Sequence, residues 1–240
     1  MPEIAMMLLC TTGAGACIVV GGLLARLEHI RPQWLQREFR HGVIAFGGGV
    51  LVSAVALVLV PEGSHYAGSA LLSCAAFLAG GGVFFVVERY LGLRRRETPQ
   101  LSAMLMDYLP ESLALGGMFA TGAGAAPLLA LLIGLQNLPE GFNAYRELAA
   151  AGKSGPERTL LKMAWLTLLG PAVGLLGWFW GPDYPVALGA VMLFAAGGIL
   201  YLLFQDIAPQ SRLERHWGPT LGAVLGFALG MLGQLLVEGS

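Results

Sequence analysis

The chain has 240 residues, of which 56% are hydrophobic and 12% are charged, and its formal net charge is −1. A soluble domain carries about 25% charged residues, so this composition excludes an ordinary soluble domain and predicts a polytopic membrane protein whose main partner is the lipid bilayer. The near-zero net charge leaves no basic face for a nucleic acid.

Eight stretches are long and apolar enough to be transmembrane helices, which need about 20 apolar residues each. They lie at residues 4–27, 42–61, 68–90, 100–121, 125–146, 160–180, 185–207 and 218–237. The sequence therefore predicts an all-α fold, with one transmembrane domain over residues 1–240 and eight membrane-spanning helices.

Basic residues are segregated along the chain. All 14 Lys and Arg residues lie in or beside the links that follow helices 1, 3, 5 and 7, and the links after helices 2, 4 and 6 hold none. Basic links are cytoplasmic by the positive-inside rule, so both termini are expected to be extracytoplasmic. The compact, loop-poor chain is typical of a multi-pass protein of the bacterial inner membrane.

Two similar polar motifs interrupt helices 4 and 5. They read Asp107-Tyr108-Leu109-Pro110-Glu111-Ser112 and Gln136-Asn137-Leu138-Pro139-Glu140-Gly141. An Asp at the centre of a spanning helix costs about 3 kcal/mol on insertion scales. The Lys and Arg residues that fall within a predicted span lie near its end, so none is placed in the interior of a span to pair with these acids. Two interpretations follow: polar groups that merely hydrogen-bond neighbouring helices, or a cation site.

The spacing of these residues predicts that they meet. Residues four apart share one face of a helix, as Asp107 and Glu111 do in helix 4, and Gln136 and Glu140 in helix 5. The two helices are antiparallel. At about 1.5 Å per residue, Asp107 then lies level with Glu140, and Glu111 with Gln136.

A proline follows each polar pair at the same offset. Pro110 and Pro139 lack an N–H, which leaves the carbonyls of Met106 and Leu135 without their helical partners. These carbonyls could be further oxygen ligands for a cation, or the prolines could simply kink the helices.

Other polar residues near the spans are less informative. Asn143 and Glu147 continue the same face of helix 5 toward the cytoplasm, as an exit path or as an ordinary helix end. Asp206 is expected to end helix 7 near the inner surface. Glu62 and Glu88 lie at helix ends, where solvated charge costs little, which favours a structural role for both.

Helices 2 and 7 hint at an internal repeat. The separation from Phe46 to Pro61 in helix 2 equals that from Phe194 to Pro209 in helix 7. The two helices are predicted to run in opposite directions, which is typical of an inverted repeat with a binding site near the midplane.

With these motifs, the chain resembles the ZIP family of divalent-metal transporters over essentially its whole length. The family's helix 4 motif, His-Asn-x-Pro-Glu-Gly, corresponds to residues 107–112, and its helix 5 motif to residues 136–141. The endings of helices 2 and 7 are also similar. The resemblance implies an eight-helix bundle of inverted three-helix repeats around helices 4 and 5. It also implies a two-metal site between these helices and metal import to the cytoplasm by alternating access.

On this resemblance, the transported substrate is a divalent metal ion: Zn²⁺, Fe²⁺ or Mn²⁺. The predicted metal-binding residues are Asp107, Glu111, Gln136, Asn137 and Glu140. They include no histidine and no thiolate. Oxygen donors suit harder ions, so we expect a preference shifted from Zn²⁺ toward Mn²⁺ or Fe²⁺.

The chain departs from the family pattern at three positions. Asp107 replaces the helix 4 histidine, Tyr108 replaces the asparagine that follows it, and Gly170 replaces a glutamate expected before Pro171. We therefore expect the metal position nearer Asp107 to be kept in altered form and the second position to lack a ligand.

Other functions stay open. The chain could be a proton-coupled carrier of a small cationic solute, with the acids as proton relays, or a degenerate ZIP-like protein that does not transport. An enzyme is disfavoured, since no HExxH or GxSxG motif is present. The sequence leaves open whether the chain forms a homodimer.

Overall fold

The computed structural model describes residues 2–28, 33–93, 99–152, 155–214 and 216–239. Within these ranges the chain is helical and contains no β-strand. Some of the basic residues used to predict topology lie outside the described residues. They are Arg31, Arg94, Arg95, Arg96, Lys153 and Arg215.

Helices cover all eight predicted stretches, and we number them α1 to α8 in chain order. Their bounds are Pro2–Leu27 for α1, residues 33–67 for α2, Ala70–Leu93 for α3, Pro99–Ala120 for α4, Ala126–Ala150 for α5, Pro156–Thr167 with Leu169–Trp180 for α6, residues 185–211 for α7 and Leu221–Glu238 for α8.

Five of these helices (α1, α2, α3, α6 and α7) contain a segment long and apolar enough to cross a membrane. The helices that carry the two polar motifs, α4 and α5, do not meet that criterion. The apolar stretch of α8, Leu221–Val237, is shorter. The chain thus has the helices of an all-α membrane protein.

The second helix is longer at both ends than predicted. It begins at Gln33, and its first residues are polar. Hydropathy marks only the apolar part of the helix, so the prediction began at residue 42. It ends before Gly68, whose φ of 63° is a left-handed conformation that commonly terminates helices.

Both α2 and α7 contain a π-helical turn, at Val55–Leu59 and Leu203–Ile207 respectively. In each helix a proline (Pro61 or Pro209) lies two residues after the turn. Proline has no N–H and cannot continue the normal hydrogen-bond ladder, and the wider turn accommodates this loss. The two helices of the predicted repeat therefore share the same local distortion at the same offset.

The eight helices pack as two groups of four. In one group, α1 packs mainly on α5 and α4 on α6; in the other, α3 packs mainly on α7 and α8 on α2. The groups meet where α2 contacts α5 and α4 contacts α7. These pairings are symmetric. If α1 is exchanged with α6, α2 with α7, α3 with α8 and α4 with α5, each observed pairing becomes another observed pairing.

Glycines at matching positions of α2 and α7 permit close helix contacts. A Cβ on Gly49 would lie 2.0 Å from the carbonyl oxygen of Ala223 in α8, and one on Gly197 would lie 1.9 Å from that of Phe77 in α3. Small residues let helix backbones approach this closely. Helices in a membrane associate through such close packing, because burial of apolar surface does not drive their association there.

One sequence expectation was wrong. Glu88 was expected to be solvated at a helix end, but its side chain is buried, with 6% of its surface exposed. Glu88 lies inside α3 and close to Tyr201 of α7. The helix extends beyond the predicted residue 90, which draws this acid into the contact between α3 and α7.

Candidate functional site

The polar motifs of α4 and α5 meet through a direct hydrogen bond. Gln136 Nε2 donates to Glu111 Oε2 at 2.6 Å, and both side chains are fully buried. This bond confirms that the two residues lie at the same level of the antiparallel helix pair, as their depths predict.

One helical turn away from this bond, Asp107 and Glu140 line a cavity of about 30 Å³. Asn143 of α5 and Asp206 of α7 also line it. This volume is open to the centre of a water-sized occupant, so the cavity can hold at least one water molecule or a small ion. Three carboxylates and one amide thus surround a small space.

The opposite wall of the cavity comes from α2. Gly47 and Gly48 line it there, together with Ile44. A Cβ on Gly47 would lie 2.9 Å from Cγ of Pro139, so glycine allows α2 to approach α5 at its proline. The cavity therefore lies where the two four-helix groups meet.

The acids of the site interact without a compensating positive charge in the cavity lining. Asp107 lies close enough to Glu140 and Glu111 to repel both electrostatically. Among the residues described for the lining, none is Lys, Arg or His. Arg146, further along α5, pairs instead with Glu28 beyond the end of α1.

Several buried oxygen atoms of the site have no hydrogen-bond partner within the described part of the chain. They are Oδ1 of Asp107, Oε1 of Glu111, Oε1 of Gln136, both carboxylate oxygens of Glu140 and Oδ1 of Asn143. Each buried acceptor left unsatisfied costs roughly 1–3 kcal/mol. A cation among these oxygens would offset that cost.

The described residues contain no group of three or more His, Cys, Asp or Glu side chains placed closely enough to hold a metal ion. The donors therefore do not form a rigid, ready-made centre. Like-charged carboxylates repel each other, and a cation between them would draw them together. The amide oxygens of Gln136 and Asn143 are additional donors of the kind that hard cations accept.

Asn137 does not line this cavity. Its Nδ2 donates to the carbonyl oxygen of Ala14 in α1 at 2.9 Å. The side chain joins α5 to α1, and its role as a metal ligand stays a prediction.

The two prolines lie inside continuous helices. Pro110 is within α4 and Pro139 within α5, and neither ends its helix. The suggestion that the carbonyls of Met106 and Leu135 serve as ligands stays a prediction.

Asn143 and Asp206 line the cavity, although the sequence analysis did not include them in the site. Asn143 lies three residues after Glu140, so the same helix face continues into the cavity, and this spacing was visible in the sequence. Asp206 lies in the π-helical turn Leu203–Ile207 of α7, and no hydropathy pattern indicates such a turn. The repeat between helices 2 and 7 was the only sequence feature that related this part of α7 to another helix.

Away from the cavity, the side of the site toward the α4–α5 link is closed. Tyr66 near the end of α2 and Thr121 after α4 share a hydrogen bond of 2.6 Å between their hydroxyl oxygens. Between this bond and the acids, α4 and α5 present apolar side chains that are fully buried, including Met118, Leu132 and Ile133. That side of the site is therefore closed by side chains of α2, α4 and α5.

Comparison with known proteins adds no family assignment, because no protein-family model matches the chain and no curated protein is detectably similar to it in sequence.

Proposed function

We propose that the chain is a secondary transporter of a divalent metal cation, which binds between α4 and α5 in the cavity lined by Asp107 and Glu140, with Glu111 and Gln136 one helical turn away. The observation that carries this proposal is the set of buried, unpartnered oxygen atoms beside the cavity. Buried ionisable groups in a membrane protein mark ion pathways by default. The described lining contains no basic residue, so the compensating charge would come from the substrate.

The small cavity is compatible with a metal ion. About 30 Å³ is open to the centre of a water-sized occupant, so a metal ion that sheds most of its water fits this space. A carrier of large organic cations would need a larger cavity in this region.

The donors favour a hard divalent ion. Carboxylate and amide oxygens suit Mn²⁺, while imidazole and thiolate ligands suit Zn²⁺ and softer ions. The Irving–Williams order still gives Zn²⁺ the higher absolute affinity at most oxygen sites. The proposal therefore concerns relative preference: Asp107 at this position lowers the advantage of Zn²⁺ over Mn²⁺ or Fe²⁺.

The packing of the helices supports alternating access. The cavity lies between a group of α1, α4, α5 and α6 and a group of α2, α3, α7 and α8. The exchange that relates the helix pairings, and the shared π-helical turns, are consistent with a ZIP-like inverted repeat of eight spans. In such folds, one group moves against the other around a fixed site. With both termini extracytoplasmic, the closed side would face outward, and the resemblance to the ZIP family implies import.

Cation-dependent stabilisation tests the proposal directly. The full-length protein, purified in detergent, should unfold at a higher temperature with Mn²⁺ or Zn²⁺ present, because a ligand that binds only the folded state stabilises it. Tetramethylammonium is the matched organic cation and should have no effect. Stabilisation by tetramethylammonium alone would favour the carrier of cationic solutes, and no response to any cation would contradict a metal site.

A further inference from the structure

The phenol of Tyr108 reaches from the acid-bearing helix α4 into the contact between α1 and α6. Tyr108 directly follows Asp107 and is 1% exposed. Its hydroxyl donates to the carbonyl oxygen of Thr167 in α6 at 3.3 Å. The side chain therefore links the site to a helix that supplies no residue to the cavity lining.

A proline in α6 leaves that carbonyl oxygen available. Thr167 would normally accept a hydrogen bond from the N–H four residues later, but residue 171 is proline and has none. The helix is interrupted at Leu168, between its two segments. The hydroxyl of Tyr108 approaches this carbonyl oxygen, so the phenol of α4 meets α6 at its interruption.

Two glycines make the space for the phenol. A Cβ on Gly170 would lie 1.9 Å from the phenol oxygen of Tyr108, and one on Gly15 of α1 would lie 2.4 Å from it. Real Cβ atoms do not approach another atom that closely. Any other residue at these two positions would displace the phenol. The glycines of α1 and α6 therefore leave the space that the phenol occupies.

Anchoring this ring fixes the rotation of α4 about its own axis. Tyr108 is one residue after Asp107 and three before Glu111, so their directions around the helix are linked. A rotation of about 20° would move a carboxylate about 6 Å from the helix axis by about 2 Å. Such a shift would break the 2.6 Å hydrogen bond between Gln136 and Glu111.

We propose that Tyr108 is a positioning residue for the cation site, which holds Asp107 and Glu111 in the direction of α5 by anchoring α4 at the interruption of α6. This inference rests on the proposed function, because its effect is on cation affinity. It does not make Tyr108 a ligand.

Two substitutions test it from opposite sides of the contact. Tyr108→Phe keeps the ring and removes the hydroxyl, and Gly170→Ala leaves α4 unchanged and pushes the phenol away. Both are made in the full-length protein in detergent and in proteoliposomes. The readouts are the Mn²⁺ concentration for half-maximal thermal stabilisation and the KM for Mn²⁺ uptake.

We expect both values to rise, by about fivefold for Tyr108→Phe, from the loss of one hydrogen bond. For Gly170→Ala we expect a rise of about tenfold or more, since misplacing site groups by about 1 Å can cost up to 10²-fold. A merely structural role would lower the yield of folded protein without changing the KM of the folded fraction.

The contact between α3 and α7 offers a matched control. There, a Cβ on Gly198 would lie 2.6 Å from the ring of Phe84, in the same arrangement of aromatic ring and glycine. Gly198→Ala and Phe84→Ala should lower stability and leave the KM unchanged.

An unchanged KM and half-maximal concentration in Tyr108→Phe and in any folded Gly170→Ala would overturn the positioning role and leave the proposed function intact. Equal increases in the control variants would overturn it as well. If Mn²⁺ and Zn²⁺ affect neither stability nor uptake in the wild type, the proposed function fails, and this inference fails with it.

Discussion

Replacing Glu140 by glutamine should stabilise the cation-free protein and abolish transport. Both carboxylate oxygens of Glu140 are buried without a hydrogen-bond partner in the described chain. The carboxylate also faces repulsion from Asp107 and Glu111. Glutamine keeps the shape, removes the charge and adds an NH₂ group. That group can donate to the unpartnered Oδ1 of Asp107 or of Asn143.

The expected gain follows from the cost of unsatisfied acceptors. Each such buried acceptor costs roughly 1–3 kcal/mol, so satisfying one and removing the charge repulsion should raise the free energy of unfolding by about 2 kcal/mol. The cation-bound protein should show the opposite order. Wild type gains stability with Mn²⁺, whereas Glu140→Gln, lacking a charged ligand, gains little.

The assay is thermal unfolding of both proteins in detergent, with and without Mn²⁺, together with uptake into proteoliposomes at equal protein content. Glu62→Gln is the matched control, because Glu62 lies in α2 and outside the cavity lining. It should change neither quantity. Glu140→Gln protein that is less stable than wild type without cation, or that transports at the wild-type rate, would refute this reasoning.

Three further predictions concern selectivity, topology and packing. Asp107→His should raise the ratio of Zn²⁺ to Mn²⁺ uptake in matched competition assays, because imidazole favours Zn²⁺, and an unchanged or lower ratio would show that Asp107 does not set selectivity. A cysteine introduced by Lys153→Cys, on a background without native cysteines, should react with an impermeant reagent only when the cytoplasmic side is exposed; labelling in sealed cells would contradict the proposed topology. Gly49→Ala should reduce thermal stability by several kcal/mol through its clash with the Ala223 carbonyl of α8, without changing the KM of the folded fraction, whereas Gly82→Ala, whose Cβ would meet no atom within 4 Å, should have little effect.

Much of the fold could be predicted from the apolar stretches of the sequence. Apolar stretches mark spanning helices because the bilayer sets their length, and helices cover all eight predicted stretches. The ends are less predictable. Hydropathy does not register the polar first residues of α2 from Gln33 on, which are nevertheless helical. Hydropathy also did not indicate the interruption of α6 at Leu168, which depends on Pro171 and on the contact with Tyr108 of α4.

The pairing of Glu111 with Gln136 could be predicted because helix rise and antiparallel direction fix relative depth. The direction of Asn137 toward α1 could not be predicted, because a motif gives the spacing of residues and not the neighbours of each helix face. The contact of Asp206 with the cavity could not be predicted, because it depends on a π-helical turn. Distortions of this kind arise from packing and proline geometry together.

Transport itself tests the central claim most directly. Proteoliposomes containing the full-length protein would be compared with empty vesicles and with vesicles containing Glu140→Gln protein, using Mn²⁺ and Zn²⁺ as substrates. The account predicts saturable uptake of one or both ions by the wild type alone. Wild-type vesicles that take up neither ion faster than empty vesicles, although the protein is folded and correctly inserted, would contradict it.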